Sequence, residues 1–186
     1  RDSGLGVACG ALRRLPGGPL RIRCIGLGTG SLAVYADAGD LVGYYEINRL
    51  VVDVSEQWFT YLRDARARGA DTRIFLGDAP LVMEQQLAGG EPLRFDVLAV
   101  DAFTGDAIPV HLLTREAMAL YQRHLAPDGV LAVHVSNRYL RLAPVVRRLA
   151  AEAGLVALLY DRPGSDADLT SSSEWVLVTR NPRFLL

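Results

Sequence analysis

Phe95 to Val100 reads F-D-V-L-A-V and stops at Asp101. A near-continuous apolar run of this kind is the signature of a strand buried on both faces, as in a parallel sheet covered by helices. Shorter runs of the same character recur along the chain. Leu20–Ile25, Leu41–Ile47, Arg73–Leu76, Val130–Val135, Leu155–Tyr160 and Trp175–Thr179 all read as strands. Between them lie stretches of helical character: Asn48 towards Arg68 with Asn48 as N-cap and Gly69 as stop, Thr114–Leu125 with Thr114 as N-cap, and Leu142–Ala153 ended by Gly154. Pro127-Asp128-Gly129 reads as a turn. The alternation predicts an α/β fold: a doubly wound, mostly parallel seven-stranded sheet with helices on both faces, closed by a C-terminal antiparallel hairpin.

A chain of 186 residues with 50% hydrophobic residues has the size of one domain, 1–186, and buries enough surface to need no disulfide or metal. The net charge of -1 is unlike that of a nucleic-acid binder, which carries a basic excess to displace counterions. All 20 residues counted as Lys plus Arg are arginine, which excludes a Walker phosphate loop and a Schiff base. Cys9 and Cys24 lack the spacing of a zinc site or a disulfide framework. No run is long and apolar enough for a transmembrane helix, so the expected compartment is the cytoplasm. The chain opens on Arg1 in mid-pattern, and we read it as a piece of a longer protein.

In a doubly wound sheet, ligands bind beyond the carboxyl ends of the strands, where strand order reverses. Those ends are polar here. Gly26-Leu27-Gly28-Thr29-Gly30 follows the first strand, Glu46 and Ile47 close the second, Asp78-Ala79 follows the third, Asp101 the fourth and Ser136-Asn137 the fifth. The glycines allow a sharp turn and a close ligand approach, and Glu46 stands about where a carboxylate accepts ribose hydroxyls. Together they point to a nucleoside. A row of acids suits an adenosyl-sulfonium cation and would repel a pyrophosphate. Asp101 is the candidate for chemistry: a partly desolvated carboxylate there can hold a cationic amine and accept its proton. Phe103 and Asp106 follow it in a loop that leads to Pro109.

These residues resemble the spermidine synthase family of aminopropyltransferases, which uses a Rossmann-like methyltransferase fold. The resemblance is carried by I-G-L-G-T-G (Ile25–Gly30), Y-Y-E-I-N (Tyr44–Asn48), L-G-D-A (Leu76–Ala79), the stretch from Phe95 to Glu116 and the stretch from Leu125 to Leu140. It is strongest to a bacterial branch often fused to membrane-transporter-like segments. It implies that Gly26, Gly28, Thr29, Gly30, Glu46, Ile47, Asp78 and Ala79 hold the nucleoside, with Glu46 on the ribose and Asp78 on the adenine. It also implies that Asp101, with Phe103 and Asp106, binds the acceptor amine. The implied reaction moves an aminopropyl group from decarboxylated S-adenosylmethionine to a polyamine or other amine, without a metal. A homodimer and a membrane segment attached outside this chain are implied as well.

Thr29 stands where the family's glycine loop carries an acid that holds the donor's free amine. Intact S-adenosylmethionine, and hence a methyltransferase, stays open. So does a non-catalytic nucleoside sensor, because the small N-terminal β-domain that normally covers the polyamine groove has no counterpart. His111, His124 and His134 show no metal-ligand spacing, and His134 reads as a hydrogen-bonded structural residue. Trp58, Phe59 and Tyr61 read as core or domain-contact residues, and Arg13-Arg14 and Arg147-Arg148 as solvated helix faces.

Overall fold

The computed structural model describes residues 3–15, 17–90, 93–103, 108–164, 171–182 and 184. Seven strands form one sheet: β1 (Arg21–Ile25), β2 (Leu41–Glu46), β3 (Asp71–Leu76), β4 (Phe95–Val100), β5 (Leu125–His134), β6 (Val156–Arg162) and β7 (Ser173–Thr179). Their order is β3-β2-β1-β4-β5-β7-β6. The pairs from β3 through β5 are parallel, while β7 runs antiparallel to both β5 and β6. The expected architecture is therefore observed, and the closing hairpin inserts its second strand next to β5.

Each face of the sheet carries its own core. Helices α1 (Gly4–Arg13), α2 (Arg49–Trp58) and α3 (Tyr61–Ala67) cover one face, over Ile22, Cys24, Tyr44 and Trp175. Helices α4 (Ala79–Ala88), α5 (Arg115–His124) and α6 (Ala143–Glu152) cover the other, over Ile25, Tyr45, Leu98 and Val133. Val97, Leu98, Ala99 and Val100 are all fully buried, as a central parallel strand demands. The helices start where short polar side chains cap them. Asn48 accepts from Leu50 N–H at 3.0 Å and Thr114 from Ala117 N–H at 3.1 Å, each satisfying a donor that the first turn leaves orphaned.

Four sequence expectations need correction. The helical stretch from Asn48 breaks at Phe59, whose backbone is extended, into α2 and α3, because aromatic and β-branched residues at the junction are weak helix formers. Pro127-Asp128-Gly129 lies inside β5, which begins at Leu125 and shifts register against β4 between Phe95 and Val97. Trp58 is 77% exposed and Phe59 and Tyr61 are exposed too, so none of the three is a core residue. Arg13 is not a solvated face. Its guanidinium meets the buried Asp40 carboxylate and donates to Tyr35 O at 2.8 Å. Burial works against the Arg13 charge, but the Asp40 bond and charge outweigh it and raise its pKa.

Asp40 also accepts from Leu20 N–H at 2.7 Å and Asp37 N–H at 2.8 Å. One carboxylate thus joins α1 to the starts of β1 and β2. Removing one partner of a buried pair leaves the other charge uncompensated, at a cost of about 3–5 kcal/mol. Asp40→Ala is therefore expected to lower the urea-unfolding free energy by about 3 kcal/mol; a loss below about 1 kcal/mol would show that α1 is held by packing alone.

Both cysteines are free and buried. Burial is the main cause that pushes the Cys9 thiol up to about 12 and the Cys24 thiol well above its ordinary value. At pH 8 both are protonated and enclosed, so the native chain should resist an alkylating reagent that labels both sites once the chain is unfolded in urea.

Candidate functional site

The strand order reverses between β1 and β4; the glycine loop and Asp101 stand at that point, with Glu46 at the end of β2 and Asp78 just past the end of β3. Ile25 lies opposite Tyr45 on one side and Val100 on the other. Just beyond, Gly26 N–H donates to Tyr45 O at 2.9 Å and Asp101 N–H donates to Ile25 O at 2.9 Å. The chain can turn here only through glycine. Gly26 has φ +97°, and a Cβ on it would stand 2.4 Å from Asp101 O. That clash with backbone has no side-chain remedy.

Past Gly26 the loop arches over α2 and α3. The Tyr44 hydroxyl donates to Gly30 O at 3.1 Å. A Cβ on Gly30 would press on Leu62 and Ser55 at 3.1 and 3.2 Å, whereas one on Gly28 would meet nothing within 4 Å. Gly28 thus borders open space at the strand ends, and Thr29 beside it is partly exposed. The loop enters a short 3-10 helix over Ser31–Tyr35, and β2 begins soon after at Leu41.

Glu46 ends β2 with its carboxylate inward. Oε2 accepts from Leu27 N–H at 3.0 Å and Oε1 from Asn48 N–H at 2.8 Å. Each oxygen has one lone pair left for a further donor. The glutamate therefore ties the glycine loop to the entrance of α2 and keeps acceptor capacity towards the site. Ile47 beside it is 70% exposed. Asp78 caps α4 through a long contact of 3.4 Å from Leu81 N–H, and its Oδ2 lies 3.0 Å from His111 Nε2. Ala79, the first residue of α4, is buried.

Asp101 follows β4 with its side chain 41% exposed. Its Oδ1 lies 2.7 Å from His134 Nδ1, and His134 Nε2 lies 2.8 Å from Ser136 Oγ. The imidazole stacks on Trp175 with ring centroids 4.6 Å apart, and Phe103 meets it edge-on at 5.0 Å. Phe103 therefore borders Asp101 through His134. Asp106 lies outside the described residues. Burial first, then the charges of Asp101 and Glu46, drive the rise in the Cys24 pKa, which places negative potential around the end of β1.

The sequence places His134 near a strand end without pairing it to Asp101, and gives no sign that His111 meets Asp78. For His134 the signal lies in the register: Val100 lies opposite Val133, so the residue after each strand's last pair falls side by side. His124 is the structural histidine. It is fully buried on Phe95 with Nε2 3.0 Å from Met83 O, and burial lowers its pKa.

The fold and the strand-end site define a Rossmann-like α/β methyltransferase fold. Human methyltransferase-like protein 13, solved in complex with SAH, matches over 97% of this chain and 84% of its own, with a TM-score of 0.68 at 18% identity. Spermidine synthase from Thermotoga maritima matches over 97% of this chain and 58% of its own, with a TM-score of 0.62 at 12% identity. These likenesses are of fold. In sequence the chain has a spermidine-synthase-like relative: it is 34% identical over 122 residues to the polyamine aminopropyltransferase of Vibrio vulnificus (strain CMCP6), covering 62% of this chain and 38% of that protein. The chain thus spans well under half of the length of the curated relative it matches. No family model matches it. No helix among the described residues is long and apolar enough to cross a membrane.

The two loop glycines separate fold from binding. Gly26→Ala should destabilise the chain by about 2–4 kcal/mol, from backbone strain and the clash with Asp101. Gly28→Ala should cost only about 1–2 kcal/mol, from its left-handed φ of +53° with no clash, and weaken S-adenosyl ligands in calorimetric titration. Equal stability losses in the two variants would remove this division of labour.

Proposed function

We propose that residues 1–186 form one adenosyl-sulfonium-binding unit that transfers an aminopropyl group from decarboxylated S-adenosylmethionine to an amine. The observation that carries this reading is Asp101, a half-exposed carboxylate at the strand-order reversal, with one oxygen held by His134 and the other without a hydrogen-bond partner among the described residues. The likeness to a polyamine aminopropyltransferase supports it. In this reading Gly26, Gly28, Thr29 and Gly30 give the donor its close approach, Glu46 accepts from the ribose through its spare lone pairs, and Ile47, Asp78 and Ala79 border the adenine.

In the transfer step the acceptor's nitrogen lone pair attacks the aminopropyl carbon attached to sulfur. A C–N bond forms and the C–S bond breaks. Sulfur keeps the electron pair, so the sulfonium becomes the neutral thioether of methylthioadenosine. The new ammonium gives its proton to Asp101. The carboxylate's part is to accept an N–H of the neutral attacking amine, orient its lone pair and receive the proton that the new ammonium releases, work that contributes on the order of 10²–10⁴-fold in rate. Phe103 bounds the acceptor side in this reading; Asp106, outside the described residues, is assigned to the acceptor on the resemblance alone. The two free thiols suit a reducing, cytoplasmic compartment. A homodimer and a membrane segment joined outside these residues belong to the same reading.

Methyl transfer from intact S-adenosylmethionine is the second reading, and Thr29 favours it, because a neutral side chain there does not select against the donor's carboxylate. Calorimetric titration with both donors separates the two. Tighter binding of the decarboxylated form is expected; preference for the intact form would move the assignment to a methyltransferase, and binding of neither would leave a non-catalytic domain. Asp101→Ala is expected to reduce aminopropyl transfer by about 10² or more with donor affinity little changed. Wild-type turnover in that variant would take the role away from Asp101.

A further inference from the structure

The surroundings of His134 form a directed chain of hydrogen bonds. Glu174 N–H donates to Ser136 Oγ at 2.7 Å, which leaves the Ser136 hydroxyl proton free to point at His134 Nε2, 2.8 Å away. With Nε2 accepting, the ring proton sits on Nδ1 and faces Asp101 Oδ1 at 2.7 Å. Every donor then has an acceptor, and an ionised carboxylate receives the N–H it needs. The ring plane is fixed as well, by the stack on Trp175 and the edge contact with Phe103. Trp175 is itself buried and pinned on its other side by α1: a Cβ on Gly4 would lie 2.4 Å from Trp175 Cβ.

Ser, His and Asp in hydrogen-bonded series also make up a nucleophilic triad, but the polarity here is the reverse. In a triad the carboxylate is the buried end and the hydroxyl faces substrate. In this chain the Asp101 side chain is 41% exposed, while the Ser136 oxygen is tied to the backbone of β7. The series therefore delivers rigidity outward, to the carboxylate.

We propose that His134 is a positioning residue for Asp101. Its Nδ1–H holds one carboxylate oxygen in place so that the other is presented to a cationic amine. The proposal rests on the amine-transfer reading for its consequence in turnover, and on the ring contact alone for its geometry.

The test uses two substitutions that divide the imidazole's functions. His134→Phe keeps a flat ring for Trp175 and removes the donor; His134→Asn keeps an N–H near the Nδ1 position and removes the ring. Nitrogen-15 NMR of histidine-labelled chain reads the tautomer directly. The Nδ1–H form is expected in the wild type, with loss of that preference in Asp101→Ala; a wild-type Nε2–H form overturns the proposal. In turnover, His134→Phe should lower kcat on the order of 10²-fold, the scale of a misplaced catalytic group, with the donor's Kd unchanged, and His134→Asn should recover most of it. A wild-type kcat in His134→Phe, or equal losses in both variants, overturns the proposal while leaving the amine-transfer reading intact. If the chain transfers from neither donor, the amine-transfer reading fails on its own, and the ring tautomer still decides whether His134 holds Asp101. Titration with 1,4-diaminobutane supplies the second arm: weaker binding in His134→Phe than in His134→Asn supports the proposal, and the reverse order overturns it.

Discussion

The rest of the structure depends on one close approach, that of Gly26 to the backbone of Asp101. β1 is hydrogen-bonded on both edges, to β2 and β4, and at its end those two neighbours diverge because the chain winds away in opposite directions. A crevice opens there in any sheet of this kind. Its floor is set here by Gly26, whose missing side chain lets Asp101 O come to where a Cβ would otherwise stand. That single steric fact fixes Asp101 against the glycine loop. Glu46 then binds the loop from the other side through Leu27 N–H. The candidate site is thus built from main-chain geometry, with side chains added to a frame that the sheet already determines.

A second layer of order reaches the site from a distance. Helix α1 packs across the sheet at the far side of β7, and Arg13 locks its C-terminal end to the buried Asp40. Its N-terminal end carries Gly4, which admits Trp175, and Trp175 stacks on the imidazole bonded to Asp101. The path from α1 to the carboxylate therefore runs through packed groups, and each step is held by close contact. Interiors packed this densely transmit small displacements instead of absorbing them. The same logic explains Gly43 at the centre of the sheet. The Arg23 side chain occupies the room that a Cβ there would need and lies between the rings of Phe75 and Phe95, so a buried cation becomes a filler of the core. Burial lowers its pKa, and Tyr45 offsets part of that.

The sheet was legible in the sequence because its strands are short apolar runs ended by polar residues, and that pattern carries both the element and its buried ends. All seven strands and their strand-end acids could be read that way, as could the caps at Asn48 and Thr114. Helix α1 was not legible: G-L-G-V-A-C-G-A-L-R holds three glycines, which weaken any helical signal, and its stability comes from Trp175 and Asp40. Arg13 looked solvent-exposed because charge alone says nothing of a partner twenty-seven positions away. The pairing of His134 with Asp101 escaped for a similar reason. The two residues are thirty-three positions apart, and only the register of β4 against β5 brings them together.

The electrostatics of the strand ends bear on what such a site can hold. Glu46, Asp78 and Asp101 sit at the ends of β2, β3 and β4, and none of the three is matched by an arginine within salt-bridge distance among the described residues. Two of them meet histidine rings, Asp78 with His111 and Asp101 with His134. A carboxylate paired with a neutral imidazole keeps its negative charge for a ligand and gives up only one lone pair to orientation. An arginine partner would have cancelled that charge. The site is thereby kept negative and ordered at once, a combination suited to cations and poorly suited to a phosphate. Thr29 adds no charge to this balance. Any ligand carrying a carboxylate would be repelled by each of these acids wherever the two come close.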